Sequence, residues 1–157
     1  MRAAIWVILA VAVLSYGIYA FATVDRRSDE AQLTSLVNDA AAAVQKQDLN
    51  GTFSCVSKAY KDDSGLNYDR LRLLTAQALR SEENYTANAD IKHLQVEGDT
   101  ATIELHARVK GSAPSRTIYE RDMTLYLTKE SARHAFVIPV QTWRVTRVEK
   151  LGFEDVM

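Results

Sequence analysis

Cysteine is nearly missing from this chain: Cys55 is the only one in 157 residues. No internal disulfide can close, so an exported domain of this sequence must be held together by its core. Cys55 itself is expected as a small buried helix residue. Proline is just as scarce, with two residues, Pro114 and Pro139. No Gly/Ser-rich or Pro-rich linker divides the body, and no internal repeat is found. A charge excess of either sign is lacking too. Nineteen Lys and Arg face twenty Asp and Glu, a formal net charge of −1, so no broad basic surface for nucleic acid is expected. There is no Gly-rich phosphate loop and no Gly-x-Ser-x-Gly nucleophile turn. The three histidines show no short spacing such as His-x-x-x-His. Neither a metal site nor a cofactor is expected.

What is present in quantity is an apolar start. After Arg2 no charged residue appears until Asp25. The run from Ala3 to Val24 is about long enough to span a bilayer core as a helix. Two readings compete. In one, residues 1–24 are a retained signal anchor, and the C-terminal domain of a single-pass membrane protein stands outside the cytoplasm. In the other they are a signal peptide, because Ala20-Phe21-Ala22 fits the small-x-small cleavage pattern, and the product is secreted or periplasmic after cleavage near Ala22. Length favours the anchor, since a signal-peptide core is usually about 7 to 15 residues. Tyr16, Tyr19 and Phe21 suit an interfacial aromatic belt. Residues 25–30 then read as a short linker and residues 31–157 as one domain, large enough to bury a core.

The body changes period midway. Ser28 is a plausible N-cap, with Asp29 and Glu30 in the first turn where negative charge suits the helix dipole. Leu33, Leu36, Val37, Ala40, Ala41 and Val44 form a stripe at helical spacing, predicting a first helix to about Gln47. Asp48 to Gly51 is expected to break it. A short second helix should carry Phe53 and Val56 and end near Tyr60, followed by a polar turn at Lys61 to Gly65. Asn67 should cap a third helix with Leu71, Leu74 and Ala78 on one side.

From about Tyr85 the period is two. A strand carrying Ile91, Leu94 and Val96 leads through the turn Glu97-Gly98-Asp99 into a half-buried strand, where Ala101, Ile103, Leu105, Ala107 and Val109 alternate with polar residues. Tyr119, Arg121, Met123, Leu125 and Leu127 continue the alternation in a third strand. Lys129 to Arg133 should turn the chain. A last strand, Phe136 to Val148, should point Trp143 and Val145 inward. Pro139 marks a bulge or an edge there, because it cannot donate to the ladder. The expected class is α+β: three helices packed on a curved, four-stranded antiparallel sheet, preceded by a transmembrane or signal helix.

This order resembles the nuclear transport factor 2-like superfamily, also called SnoaL-like, with its cone-shaped α+β fold. The likeness is carried by the first helix ending in Gln47-Asp48-Leu49-Asn50-Gly51, by Val56 to Asp62, and by Val96 to Ile103 with Thr142-Trp143-Arg144-Val145. It covers about residues 28 to 150. It implies a sheet wrapped around helices, leaving an apolar pocket in which enzymes of the group place a few Asp, His or Tyr residues. The fold hosts isomerases, dehydratases, transport factors and scaffolds, so it leaves the activity open.

A carboxylate in such a pocket would have a raised pKa and could move protons near neutral pH. The weak pocket candidates are Tyr60, Asp62 and His93, with Asp63 and His106 beside them. Each has a plainer reading. Tyr60 fits a core aromatic with a hydrogen-bonded tip. Asp62 and Asp63 fit a solvated loop, and His106 an outward position on the polar face of its strand. His134 is expected to be exposed. No convincing catalytic set emerges. The leading expectation is a non-catalytic, membrane-tethered domain outside the cytoplasm that binds a partner protein or a small apolar ligand. A hydrophobic-ligand carrier and a small lyase or isomerase are the alternatives. Residues 3–24 would supply the membrane contact, and the outer sheet face a possible homodimer.

Overall fold

The computed structural model describes residues 11–16, 18–20, 22, 25, 27–81, 84–111, 117–134 and 138–152. The chain divides into two compact units, Met1–Arg27 with Glu130–Thr142, and Ser28–Lys129 with Trp143–Met157. In the first unit the backbone is helical at residues 11–16 and 18–20. Val13, Leu14, Ile18 and Tyr19 are exposed there. Among the described residues no helix is long and apolar enough to cross a membrane. Much of the apolar start (residues 1–10, 17, 21, 23 and 24) lies outside the described residues.

The second unit is an α+β layer pair, and residues 130–134 and 138–142 of its last two strands fall in the first unit. Helix α1 spans Asp29–Gln45, α2 Leu49–Phe53 and α3 Tyr68–Leu79. They precede the strands β1 (Tyr85–Glu97), β2 (Thr100–Gly111), β3 (Thr117–His134) and β4 (Ile138–Glu149), which form one sheet in the order β1-β2-β3-β4. The caps fall where the sequence places them. The Ser28 hydroxyl accepts from the Ala31 amide at 3.3 Å and the Asn67 side chain from the Arg70 amide at 2.9 Å, each satisfying an amide the first helical turn leaves unpaired.

Three boundaries differ from expectation. Asp48 to Gly51 does not simply break the chain. Leu49–Phe53 is itself the short helix, and Val56 lies beyond it, bridged in parallel to Val145. Gly51 sits inside that helix, where a Cβ would meet the Asp48 carboxylate first and would lie 3.0 Å from Ala43 Cβ on α1. On α3 the buried residues are Tyr68, Leu71 and Leu79, while Ala78 is exposed. Lys129 to Arg133 do not turn the chain but belong to β3. Alternating residues satisfy a ladder whether or not they are polar, so a polar run alone did not mark the strand's end.

Register fixes two faces. Ala101 pairs with Leu127, Ile103 with Leu125, Leu105 with Met123, Ala107 with Arg121 and Val109 with Tyr119. These define the inner row. Leu33, Val37, Phe53 and Leu71 of the helices pack with Ile103, Leu105, Leu127, Trp143 and Val145 into the core. Burying each of the larger aliphatic side chains contributes about 1.5–3 kcal/mol. The outer row pairs His106 with Asp122 and Arg108 with Glu120. A register shift between Ile91 and His93 carries His93 onto this outer row, opposite Glu104.

The β4 edge is partly covered. The Val145 amide donates to Cys55 O at 2.7 Å, the Ser57 amide to Val145 O at 2.9 Å and the Lys61 amide to Thr146 O at 3.1 Å. A covered edge offers less template for pairing with another chain. Cys55 is therefore in a half-buried turn, not in a helix as expected. Burial pushes its thiol pKa up.

Candidate functional site

The alternation of β3 builds the site. Tyr119, Arg121 and Met123 stand on the inner row, facing the side where α1, α2 and α3 pack. Toward the β1 start and the β3 start the helices do not fill the space above the sheet. An apolar cavity of about 700 Å³ remains, bordered by Phe53 of α2, Leu71 and Leu79 of α3, Val109 of β2, and Met123 and Tyr119 of β3. That volume lies within the range of about 300–1,000 Å³ common for small-molecule sites. Ala78, Ile118, Glu120 and Arg121 border the cavity and are exposed, marking the side on which it opens.

The cavity's polar groups are largely committed. The Tyr119 hydroxyl donates to Leu151 O at 2.9 Å, and burial pushes its pKa up to about 12. The phenol stays protonated at neutral pH and holds the segment after β4 against the cavity wall. Thr75 donates to Leu71 O at 2.9 Å and Thr52 to Asp48 O at 2.8 Å, both bonds to the carbonyl four residues back. Tyr85 donates to Ala78 O, tying the start of β1 to the end of α3. Glu120 borders the cavity, yet its Oε1 accepts from Arg108 Nε at 2.8 Å and contacts His106 Nε2 at 3.1 Å. Those partners belong to the outer row, so this carboxylate is directed away from the apolar walls.

Tyr60 and Asp62 are brought together, but elsewhere. Asp62 is 6% exposed, which corrects its expectation as a solvated loop residue. The chain folds around its carboxylate: Oδ1 accepts from Ser64 Oγ at 2.7 Å and from the Leu66 amide at 2.9 Å, and Oδ2 from Tyr60 Oη at 3.1 Å. A short loop with a buried amide needs an internal acceptor, and Asp62 supplies it. Burial, then the neighbouring Asp62 charge, pushes the Tyr60 pKa up. Neither residue borders the large cavity. Asp62 and Asp63 border a smaller pocket of about 200 Å³ beside Val148 and Lys150. Asp63 is exposed and meets Arg147 Nη1 at 3.3 Å.

His93, the remaining pocket candidate, is exposed on the outer row and borders neither cavity. His106 is outward as expected, and its ring is clasped from both sides. Nδ1 lies 2.8 Å from Asp122 Oδ1 and Nε2 3.1 Å from Glu120 Oε1. Lys92 Nζ also reaches Asp122, at 2.6 Å. The side chain of His134 lies outside the described residues. Among the described residues, no group of three or more His, Cys, Asp or Glu is placed to hold a metal ion.

Sequence reasoning missed the residues that shape the cavity's polar side, Tyr119 and Arg121. The signal was present. Arg121 is the one charged residue in an otherwise apolar or aromatic alternation from Tyr119 to Leu127.

No family profile matches this chain, and no curated protein matches it. Solved structures do. The chain is similar to a domain of unknown function with a cystatin-like fold from Nostoc punctiforme, at TM-score 0.61 and 13% identity over 84% of this chain and 83% of that one. It is similar to an NTF-2 like protein of unknown function from Shewanella oneidensis, at TM-score 0.57 and 12% identity over 77% of this chain and 97% of that one. A Bdellovibrio bacteriovorus protein matches at TM-score 0.60 and 14% identity over 74% of this chain, which spans 38% of that longer chain. At these identities the likeness shows the fold, and the fold is the NTF2-like, cystatin-like α+β arrangement.

Proposed function

We propose that this chain is a non-catalytic binding domain whose cavity takes a small apolar ligand, held at a membrane outside the cytoplasm by its apolar start. The observation that carries the reading is the cavity of about 700 Å³ with apolar walls from Phe53, Leu71, Leu79, Val109 and Met123. Transfer of an apolar ligand from water into such a space is favourable in proportion to the area it loses to solvent. Acid–base catalysis would need ionisable groups converging on that space. The pair that does converge, Tyr60 and Asp62, is spent on a loop outside it. The Tyr119 phenol is committed to Leu151 O, and Glu120 to outer-face cations.

Native mass spectrometry of the full chain, released gently from lipid nanodiscs, tests the ligand reading. An apolar small molecule should copurify with the wild type and be lost from Met123→Trp, which fills the space. A wild type that carries and accepts no apolar ligand overturns it. The placement is tested apart from the ligand. A phosphatase that folds only outside the cytoplasm, fused after Met157, should be active in a bacterial host. The fusion should also stay with the membrane through carbonate extraction. Release at carbonate would replace the anchor with the cleaved-peptide reading.

A further inference from the structure

The cavity walls are mostly apolar, their hydroxyls are bonded to backbone carbonyls, and one cation, Arg121, borders the space. Arg121 belongs to the inner row, in register with Ala107 and flanked along that face by Tyr119 and Met123. An arginine in such a row is costly unless its head reaches solvent or an anion. Arg121 is exposed, so its stem runs along the wall and its head stands at the opening.

A second feature bounds that head. Gly152 crosses directly beside it: a Cβ built on Gly152 would lie 2.4 Å from Arg121 Nε and 2.5 Å from Cζ. Gly152 adopts φ +77°, a left-handed conformation that favours glycine. Its neighbour Leu151 is anchored through the Tyr119 hydroxyl at 2.9 Å. The inner-row tyrosine thus pins the backbone segment against which the inner-row arginine lies. The guanidinium lies against Gly152 at the rim. Glu120, the adjacent carboxylate, faces Arg108 and His106 on the other side of the sheet.

We propose that the ligand is an amphiphile with a single apolar tail and a carboxylate head, its tail in the cavity and its head on the Arg121 guanidinium. This deepens the ligand-binding reading and rests on it. A guanidinium presents five N–H donors in a planar fork that matches a carboxylate in bidentate geometry, so it can hold a ligand head in addition to a protein partner. The apolar wall shields one side of the contact, while the exposed side of Arg121 keeps it open to solvent. A neutral head of the same length would gain the tail burial and forgo the charged contact.

The test compares decanoate with decan-1-ol by isothermal titration into the full chain in nanodiscs, with empty nanodiscs as the blank. Decanoate should bind about tenfold tighter than the alcohol, the scale of one charge-assisted contact. Arg121→Gln should bring the two to parity by weakening decanoate alone, and Arg121→Lys should keep part of the preference. Equal binding of the two by the wild type overturns the carboxylate assignment while leaving the cavity reading standing. Binding of neither overturns both. A preference that survives in Arg121→Gln overturns the role of Arg121. The acid–alcohol comparison on the wild type needs no variant, so it decides the head-group question even if a substitution disturbs folding.

Discussion

Trp143 Nε1 donates to Asp29 Oδ1 at 3.1 Å, joining the closing strand to the first turn of α1. Lys129 Nζ reaches the same carboxylate at 3.0 Å and stands 5.0 Å from the centre of the Trp143 ring. The indole is 4% exposed, so without Asp29 its N–H would be buried and unpaired. Asp29→Ala should therefore destabilise the fold by about 1–3 kcal/mol. Asp29→Asn, which keeps an acceptor oxygen, should cost less than half as much. Urea denaturation followed by circular dichroism measures both. Equal losses would mean that the charge matters and the indole bond does not.

Asp62 supports a different prediction because its partners are themselves buried. Leu66, whose amide it accepts, is 1% exposed and Tyr60 is 2% exposed. Asp62→Ala leaves both donors without an acceptor and should cost about 2–4 kcal/mol. Tyr60→Phe removes one bond, leaves Asp62 with Ser64 and the Leu66 amide, and should cost about 1 kcal/mol. Neither substitution should change the affinity for an apolar ligand by more than about twofold, since neither residue borders the large cavity. A tenfold loss of affinity in a folded Tyr60→Phe protein would return the pair to the functional site.

These two cases show what the sequence could and could not say. The caps Ser28 and Asn67, the inward Trp143 and Val145, and the strand alternation were legible because each rests on local spacing. Asp62 was not. A carboxylate between Lys61 and Asp63 reads as solvated, and only the return of the chain to Leu66 buries it. His93 lost its place through the irregularity at Lys92, which moves every following side chain across the sheet. The cavity was illegible for a further reason. It is a space left unfilled between α2, α3 and the sheet, and no residue type marks a space. Only its rim left a trace, in Arg121, the one charge in the alternation from Tyr119 to Leu127.

The outer face should show its own pH dependence. The Asp122 and Glu120 carboxylates beside His106 hold its imidazole pKa above the ordinary value of 6.5. Arg108 and Lys92, with His106, hold Glu120 and Asp122 below their ordinary values of 4.5 and 3.8. The two shifts act in opposite senses. The stabilisation from His106 is complete below pH 6.5 and is lost as pH rises through its higher folded value. That from the carboxylates is present above their ordinary values and is lost as pH falls through the lower folded ones. The cluster should thus stabilise most between about pH 5 and 6. The melting-temperature difference between wild type and His106→Gln should peak there and shrink toward about pH 8. Added salt should flatten it, because the groups are near solvent. A difference that grows between about pH 6 and 8 would show that the neutral ring, not the imidazolium, makes the contacts.

Gly152 allows the seat of Arg121 to be tested without touching the arginine. Adding one methyl group in Gly152→Ala brings Cβ to 2.4 Å from Arg121 Nε and 2.9 Å from Cδ. An arginine side chain moves more readily than backbone, so the guanidinium should be the part that yields. The positive φ of Gly152 adds a strain of about 1–2 kcal/mol for a residue with a Cβ. A small drop in melting temperature should accompany the change. Tail burial depends on Leu71, Val109 and Met123, and these stay in place. Decan-1-ol should therefore bind the variant within about twofold of wild type, while the preference for decanoate falls toward parity. Charge is unchanged in this variant, so lost preference reports the position of the guanidinium and not its presence. Undiminished preference would show that Arg121 holds a carboxylate from a freely moving side chain. Equal weakening of both ligands would show instead that Gly152 shapes the wall against which the tail packs.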